Sequence, residues 1–302
     1  MKHRPGGNPL ELDVLSMLAK RFKTPLAGQL AKAIDGPTYF TVRSGLLPSA
    51  YTSAEIFSCD YLLANLLKKW NGWEGFDPKR AAIDTWIGAE RQCAATNAQL
   101  AHRIRSSRWR AVTIEAQRLI STVIGVRPDM RRIAKLCRFG GGATYDVSRR
   151  EANVANKLTG ISTTEACRQY AYLLCDDGVD REPTDDDEWG ANELFDFEVV
   201  RGNRGVLVPK SAKTDRAIAC EPTLNSFVQQ GVGRFFKRKL LSIAGVTLTD
   251  QRVNQDLAQL ARKASLATLD LSSASDTLAT SVVKLLLPPM WYDFLDAVRS
   301  PY

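Results

Sequence analysis

The length and composition of the chain are those of a globular protein with a substantial core. Its 302 residues are 44% hydrophobic and 25% charged, which is ordinary for a soluble domain and excludes a collagen-like or low-complexity chain. No window is apolar for the length of a membrane span, and the basic N-terminus has no apolar segment behind it. A cytoplasmic protein is therefore expected, and its net charge of +8 is modest for its size.

Cysteine and histidine usage argues against two kinds of catalytic site. The six cysteines show no Cys-x-x-Cys spacing, and only His3 and His102 accompany them. We therefore predict reduced structural thiols, with neither a zinc site nor a Ser-His-Asp hydrolase.

Charge is distributed unevenly along the chain. Residues 101–150 carry a net charge of +9, residues 176–198 carry −10, and residues 201–263 carry +8. This alternation predicts basic surfaces suited to a polyanion, and an acidic segment that either repels that polyanion or docks onto a basic neighbour.

Helical patterns dominate the first half of the chain. Apolar spacing predicts a helix over Leu10–Phe22, and a capping box of Thr52 with Glu55 opens another that runs to Trp70. Asp77 followed by Pro78 predicts the start of a helix that reaches about Ile104. Helical spacing resumes over residues 114–124 and again from Ser162 to Cys175, while a short strand is predicted at 39–42.

Three features in this half suggest functions that we weigh against simpler alternatives. Trp109 among arginines is the composition of a base-stacking surface, although a solvated helix end is favoured. Gly140–Gly142 lacks the lysine and hydroxyl of a P-loop, so a flexible loop is favoured. Asp176-Asp177 is a candidate pair of catalytic carboxylates, but it closes a predicted helix, whereas such a pair is expected in the turn of a hairpin. Asp185–Glu188 is interpreted as a solvated acidic loop.

A basic turn lies between two predicted strands in the second half. Residues 197–200 and 206–208 are predicted to form a hairpin, after which a turn presents Lys210, Lys213 and Arg216 before the next strand. Cations gathered on one turn can hold a triphosphate and neutralise charge on a leaving pyrophosphate. A basic amphipathic helix is then predicted from Thr223 to about Ile243, and its Arg234, Lys237 and Arg238 are candidates to contact a nucleic-acid backbone.

A carboxylate motif follows at residues 266–276. The apolar run Leu266–Leu269 predicts a strand that ends at Asp270, and Asp276 stands before a predicted helix over 277–287 that it is placed to cap. Carboxylates at a strand end are hard oxygen ligands of the kind that suit Mg²⁺. By itself this pattern is also common in the connection between a strand and a helix, where it has no catalytic role.

The basic turn, the Asp270–Asp276 motif and the segment Leu287–Trp291 together resemble the replicase β subunit of the small RNA bacteriophages. The resemblance runs from about residue 197 to residue 302 and is looser before that. It implies an RNA-directed RNA polymerase in which Asp270 and the Leu271 carbonyl hold catalytic Mg²⁺, two ions being expected in a complete enzyme. It also implies that Lys210, Lys213 and Arg216 meet the incoming nucleotide and that Asp276 contacts its ribose 2′ hydroxyl.

The fold implied by this resemblance is α+β with a right-hand polymerase architecture. Residues 1–196 would form a largely helical N-terminal and fingers region, 197–263 a basic fingers hairpin and helix, and 264–302 the start of the palm. Besides an RNA template and nucleoside triphosphates, the family implies host elongation factors Tu and Ts and an RNA-binding ribosomal protein as partners, in the cytoplasm of a bacterial host.

One family element is missing from the sequence. The Gly-Asp-Asp hairpin that supplies the other metal ligands does not occur in these residues. We therefore expect a partial chain that does not catalyse polymerisation alone. Two alternatives remain open: a non-catalytic RNA-binding protein, and a Mg²⁺-dependent phosphohydrolase with Asp270 as nucleophile.

Overall fold

The computed structural model describes residues 9–24, 26–29, 46, 50–70, 76–103, 107–175, 195–261, 263–267 and 269–301. The helices are α1 (Pro9–Arg21), α2 (Ala54–Lys69), α3 (Pro78–Arg103), α4 (Ser107–Ile124), α5 (Met130–Ala134), α6 (Val154–Lys157), α7 (Glu165–Arg168), α8 (Thr223–Ala244), α9 (Arg252–Leu260), α10 (Thr280–Leu286) and α11 (Pro289–Val298), with a 3₁₀ turn at Ala171–Leu174. The strands are β1 (Ile161–Thr163), β2 (Phe197–Val199), β3 (Arg204–Pro209) and β4 (Asp215–Cys220). Within these ranges, no helix combines the length and apolarity of a transmembrane segment.

The mixture of many helices and few strands is consistent with the predicted α+β class. Helices α1, α4 and α8 lie where the spacing of apolar residues predicts them, although α4 begins at Ser107, seven residues earlier than predicted. Helix α3 begins after Asp77 as predicted, and Asp77 accepts a hydrogen bond from the Arg80 amide at 3.0 Å as a helix cap. The helix predicted from Ser162 to Cys175 is wrong, because Ser162 pairs with Glu198 in a strand and only α7 and the 3₁₀ turn are helical in that stretch. The cap of α2 differs, because Ser53 rather than Thr52 accepts from the Glu55 amide. The predicted strand at 39–42 and the acidic residues 176–194 lie outside the described residues.

The chain packs as two compact units, each with its own core. The first comprises residues 1–87 and 206–218, and the second comprises 88–205 and 219–302. In the first unit, α1 packs on α2 through a cluster of buried apolar side chains: Leu15, Ala19, Ala27, Leu63, Leu67 and Trp70. The larger core of the second unit surrounds α8 and α11, where Trp291 is completely buried and donates its indole N–H to the Gly125 carbonyl at 3.1 Å.

The strand pairing corrects one sequence prediction. β2 does not form a hairpin with β3; it pairs in parallel with β1, so that Ile161 lies opposite Phe197 and Thr163 lies opposite Val199. β3 pairs instead with β4, which confirms the predicted strand, turn, strand arrangement around the basic residues. The turn before β3 favours a local hairpin, but β2 pairs instead with β1, whose three residues are all buried.

Helix α8 is the central element of the second unit. It begins at Thr223 and ends at Gly245, whose φ of +65° is the left-handed conformation that glycine adopts at helix ends. Its packing on α5 is very close at Gly231, since a Cβ there would lie 2.9 Å from the Ile133 carbonyl oxygen and against Cys137 Sγ. Glycine at this position therefore lets the two helices approach.

A buried polar network fastens α8 to the segments around it. The Asn225 side chain, completely buried, donates to the Val298 carbonyl at 3.1 Å and to Thr164 Oγ1 at 2.8 Å, and it accepts from the Thr164 amide. Ser300 donates to Glu221 at 2.7 Å. Because each buried polar group has a partner, the network specifies one register between α8, β1 and the end of α11.

Beneath the glycine loop lies the buried side chain of Lys157. Only 1% of this residue is exposed, and its Nζ donates to the carbonyls of Gly140 and Gly142. Burial lowers the pKa of Lys157, an effect that the nearby Asp146 carboxylate opposes. The predicted glycine loop is therefore held by hydrogen bonds from the buried Lys157 to its backbone carbonyls.

Candidate active site

The segment around Asp270 is an open turn rather than a strand. The predicted strand at 266–270 does not form, and Leu269 and Leu271 are 88% and 75% exposed. A strand needs a neighbour for its backbone hydrogen bonds, and none of the described residues pairs with this segment. Asp270 is thus exposed at the end of an apolar run, as predicted, but not at the edge of a sheet.

The turn between the two carboxylates has its own local structure. Ser273 adopts a φ of +51°, an uncommon left-handed conformation for a side chain other than glycine. Its carbonyl accepts hydrogen bonds from the Thr277 amide and hydroxyl, both at 3.0 Å. Asp276 is exposed, and its Oδ1 accepts from Ser275 Oγ at 3.0 Å.

Asp276 does not cap the helix that follows it, contrary to the sequence prediction. Helix α10 begins three residues later than predicted, at Thr280, and Ala279 occupies its N-cap position without a side-chain hydrogen bond. The Thr277 bonds to Ser273 extend the turn, which delays the start of the helix. The Asp276 carboxylate consequently remains available to a ligand.

A side chain of helix α3 supplies the hydrogen-bond acceptor that Ala279 cannot offer at the start of α10. Asn97 of α3 accepts through Oδ1 from the Ser281 amide at 3.2 Å and from the Ser281 hydroxyl at 2.5 Å. One turn earlier on α3, Cys93 Sγ donates to the Asp276 carbonyl at 3.4 Å. Gln117 of α4 donates to the Leu285 carbonyl at 2.6 Å near the other end of α10.

Sequence reasoning did not find these anchoring side chains. Asn97 and Ser281 are separated by 184 residues, and no local motif relates them. Asparagine and cysteine within a long, polar helix are typical of a solvated face. Only the fold brings them to the segment that carries the carboxylates.

The oxygen donors at Asp270 fit one part of a Mg²⁺ site. An exposed carboxylate and the neighbouring Leu271 carbonyl are hard ligands of the type that Mg²⁺ selects. In the described part of the chain, however, no group of three or more His, Cys, Asp or Glu side chains gathers as a metal site. Two ions held in line need further carboxylates beside Asp270.

The basic turn is well ordered by its own hydrogen bonds. The Ser211 amide donates to the Thr214 carbonyl at 3.0 Å, and the buried Ala212 donates its amide to the Lys68 carbonyl at 2.7 Å. Lys213 lies over the Phe76 ring, 5.6 Å from its centroid. Lys210, Lys213 and Arg216 are all exposed, and no described carboxylate forms an ion pair with them. A fixed turn therefore presents three cations to solvent.

These cations and the carboxylates belong to different units. Residues 206–218 lie in the first unit, and Asp270 and Asp276 lie in the second.

The basic face of α8 forms a third feature of interest. Arg234, Lys237 and Arg238 line a cavity of about 210 Å³ that is completed by Leu241, Thr247, Leu248 and Thr249. Arg234 is held in place because its Nη1 donates to the Leu136 carbonyl at 3.0 Å. Lys237 and Arg238 are exposed, and α8 itself contains no acidic residue. This face suits an anion.

Buried cysteines are chemically quiet in this environment. The six cysteines, which all lie among the described residues, form no disulfide, and burial raises the pKa of both Cys137 and Cys167 to about 12. Thiols with so little thiolate at neutral pH are structural rather than nucleophilic.

Comparison with known proteins places this arrangement in a family. The family model for the RNA replicase β-chain matches residues 17–302. The RNA-directed RNA polymerase subunit β of enterobacteria phage SP is 36% identical over 268 residues, and that of Escherichia virus Qbeta is 33% identical over 257 residues. These matches cover 84% and 81% of this chain but only 43% and 41% of the relatives, so the chain spans less than half their length.

A shorter match has higher identity. The RNA-directed RNA polymerase β chain of Escherichia phage MS2 is 48% identical over 167 residues, which is 55% of this chain and 30% of that relative. The family model covers most of the chain, including the basic turn, the cationic face of α8 and the carboxylate turn. The chain belongs to the RNA replicase β-chain family.

Proposed function

We propose that this chain forms the nucleotide-contacting and template-contacting part of an RNA-directed RNA polymerase that copies phage RNA by two-metal nucleotidyl transfer. The observation that carries the proposal is the family match over residues 17–302, whose relatives bear that activity in their names. The exposed Asp270 and the ordered basic turn support it from the residues upward.

Each group has a distinct role in the proposed chemistry. Asp270 and the Leu271 carbonyl would hold Mg²⁺, whose chemistry there would be activation of the primer 3′ hydroxyl and stabilisation of the leaving pyrophosphate. Lys210, Lys213 and Arg216 hold the triphosphate through charge-assisted hydrogen bonds. Asp276 accepts a hydrogen bond from the ribose 2′ hydroxyl and so favours RNA precursors. Arg234, Lys237 and Arg238 contact the template backbone.

The proposal includes a limit on what these residues accomplish together. Asp270 alone cannot hold two ions in line, so the 302-residue chain is proposed to bind nucleotide without polymerising it. The further ligands would come from a Gly-Asp-Asp hairpin in the longer protein. Sequencing the encoding RNA past the Tyr302 codon tests this: an in-frame hairpin bearing that motif is the expected result.

A binding and activity assay on the purified chain tests the function itself. We expect Mg²⁺-dependent ATP binding that Asp270→Asn weakens about tenfold, the worth of one charge-assisted contact, and no RNA synthesis by either protein. RNA synthesis that Asp270→Asn abolishes would contradict the proposed inactivity. Salt-dependent RNA binding without Mg²⁺-dependent nucleotide binding would point instead to a non-catalytic RNA-binding protein, and phosphate release to a phosphohydrolase.

The partners of the working enzyme belong to the same proposal. From the family resemblance we propose host elongation factors Tu and Ts and an RNA-binding ribosomal protein, met in the bacterial cytoplasm. Co-purification of the tagged chain with separately purified factors tests each partner in turn. Failure of all three to bind would remove host assembly from the proposed function of this part of the protein.

A further inference from the structure

Among the described residues, the contacts that attach the carboxylate turn to another helix lie on its downstream side. Leu266, Leu269 and Leu271 are exposed, and no described strand pairs with the segment that leads into Asp270. Downstream, the Asp276 carbonyl and the first turn of α10 are bonded to α3. The position of the Asp276 carboxylate is therefore determined by what holds residues 276–281.

Asn97 is the strongest of these attachments. Its single Oδ1 accepts from both the amide and the hydroxyl of Ser281, at 3.2 and 2.5 Å. It thereby satisfies an N–H group at the start of α10 that the Ala279 cap leaves without a side-chain partner. Cys93, one helical turn away on the same face of α3, adds a weaker hydrogen bond to the Asp276 carbonyl.

We propose that Asn97, assisted by Cys93, is a positioning residue that sets discrimination between ribonucleotides and deoxyribonucleotides by holding the Asp276 turn on α3. Neither side chain touches the nucleotide. The inference rests on the proposed role of Asp276 as the partner of the ribose 2′ hydroxyl. A hydrogen bond to a hydroxyl requires the carboxylate at a defined place, so loss of the anchor weakens the ribonucleotide selectively.

Three variants separate the anchor from general stability. Asn97→Leu keeps the size of the side chain but removes the acceptor, and Asn97→Asp restores an acceptor at the same place. Gln92→Ala removes an exposed amide from the same helix and serves as the matched control. Thermal unfolding is recorded for each protein, so that only folded variants are compared.

The first measurement tests the anchor without any nucleotide. Alkylation of Cys93 is followed by peptide mass spectrometry, with the half-buried Cys59, Cys175 and Cys220 as internal references. We expect Asn97→Leu to raise the rate at Cys93 several-fold relative to these references, while Asn97→Asp and Gln92→Ala leave it unchanged. An unchanged rate in Asn97→Leu would overturn the anchor.

The second measurement tests discrimination, as the ratio of the dissociation constants of 2′-deoxy-ATP and ATP in the presence of Mg²⁺. We expect the unmodified chain to prefer ATP by about tenfold to a hundredfold, the worth of one hydrogen bond to a charged group. Asn97→Leu is expected to bring the ratio close to one, and Asn97→Asp to restore it.

The outcomes distinguish this inference from the proposed function. A preference for ATP that persists in Asn97→Leu would overturn the positioning role and leave Asp276 as the ribose contact. Equal binding of the two nucleotides by the unmodified chain would overturn the proposed role of Asp276, and the inference with it. Equal losses of affinity for both nucleotides in Asn97→Leu would show a merely structural effect and also overturn the inference.

Discussion

At the scale of single residues, a few polar side chains make several hydrogen bonds that their local sequence does not indicate. Asp146 accepts hydrogen bonds from the hydroxyls of Thr223 and Thr144, at 2.5 and 2.9 Å, and from the Ser162 amide at 3.3 Å. Partial burial alone would raise the pKa of this carboxyl, but the three hydrogen bonds outweigh it and lower the pKa. Nothing in the local pattern Thr-Tyr-Asp-Val distinguishes this aspartate from a solvated one.

The lowered pKa of Asp146 predicts an acid-sensitive contribution to stability. Because the carboxyl binds its proton less tightly in the folded state, its contribution is complete above the unfolded pKa of about 4 and is lost as the pH falls through the folded value. Asp146→Asn should lower the free energy of unfolding by about 1 kcal/mol at pH 7 and by less at pH 3. Urea unfolding at both pH values measures the difference; a constant gap between the two proteins would contradict this account.

The thiols make a second prediction at this scale. With pKa values raised to about 12 by burial, Cys137 and Cys167 should resist iodoacetamide at pH 8 while the other four cysteines react. In urea all six should react at similar rates. Rapid labelling of Cys167 in the native protein would show that the core around α8 opens more readily than its packing indicates.

At the scale of elements, the long helices were predictable, whereas the short helices and the strand partners were not. Apolar spacing and caps locate α1, α3 and α8 because those signals are local. The partner of β2 depends on burial against β1, a segment some 36 residues earlier, which no local pattern records. The same reason applies to the carboxylate turn: Asp270 and Asp276 are proposed as site residues from the local pattern, whereas the missing strand and the attachment to Asn97 depend on distant neighbours.

Two glycines of α8 provide a matched test of helix packing. Gly231→Ala would place a methyl group against Cys137 and the Ile133 carbonyl, so we expect a loss of about 1–3 kcal/mol in the free energy of unfolding. Gly233→Ala meets no heavy atom within 4 Å and should gain up to about 1 kcal/mol from helix propensity. Denaturant unfolding compares them. Equal effects of the two substitutions would show that α5 and α8 are not in close contact.

At the scale of the whole molecule, the amount of charge and its segments are known directly from the sequence, whereas the surface on which the cations gather is not. The net charge of +8 and the basic segments direct attention to a polyanion before any fold is known. The structure adds that α8 collects cations without acids on one helix, and that Arg234 is fixed by a carbonyl. The cavity beside these cations forms because residues 247–249 lie against the end of α8, and composition does not reveal that contact.

Salt dependence tests whether this face binds RNA. For single-stranded RNA, Lys237→Gln with Arg238→Gln should weaken binding and reduce the slope of log K against log salt by about 1.4, the value for two lost phosphate contacts. Lys68→Gln with Lys69→Gln removes the same charge elsewhere and should leave the slope nearly unchanged. Fluorescence anisotropy between 50 and 300 mM salt, roughly the range in which counterion release is measurable, gives both slopes. Equal reductions of the slope in the two double variants would show that net charge, and not this face of α8, determines RNA binding.

The exposed leucines beside Asp270 have a consequence for how the protein behaves at high concentration. Leu269 and Leu271 are exposed to water in a segment that no described strand pairs with, so they form a small apolar surface that can associate with a second copy. Association of two copies is bimolecular, so its initial rate should grow with the square of protein concentration. Sulfate, which strengthens apolar association while it weakens RNA binding, should accelerate it. A crystallisation drop is therefore the environment in which this turn is most prone to association between copies.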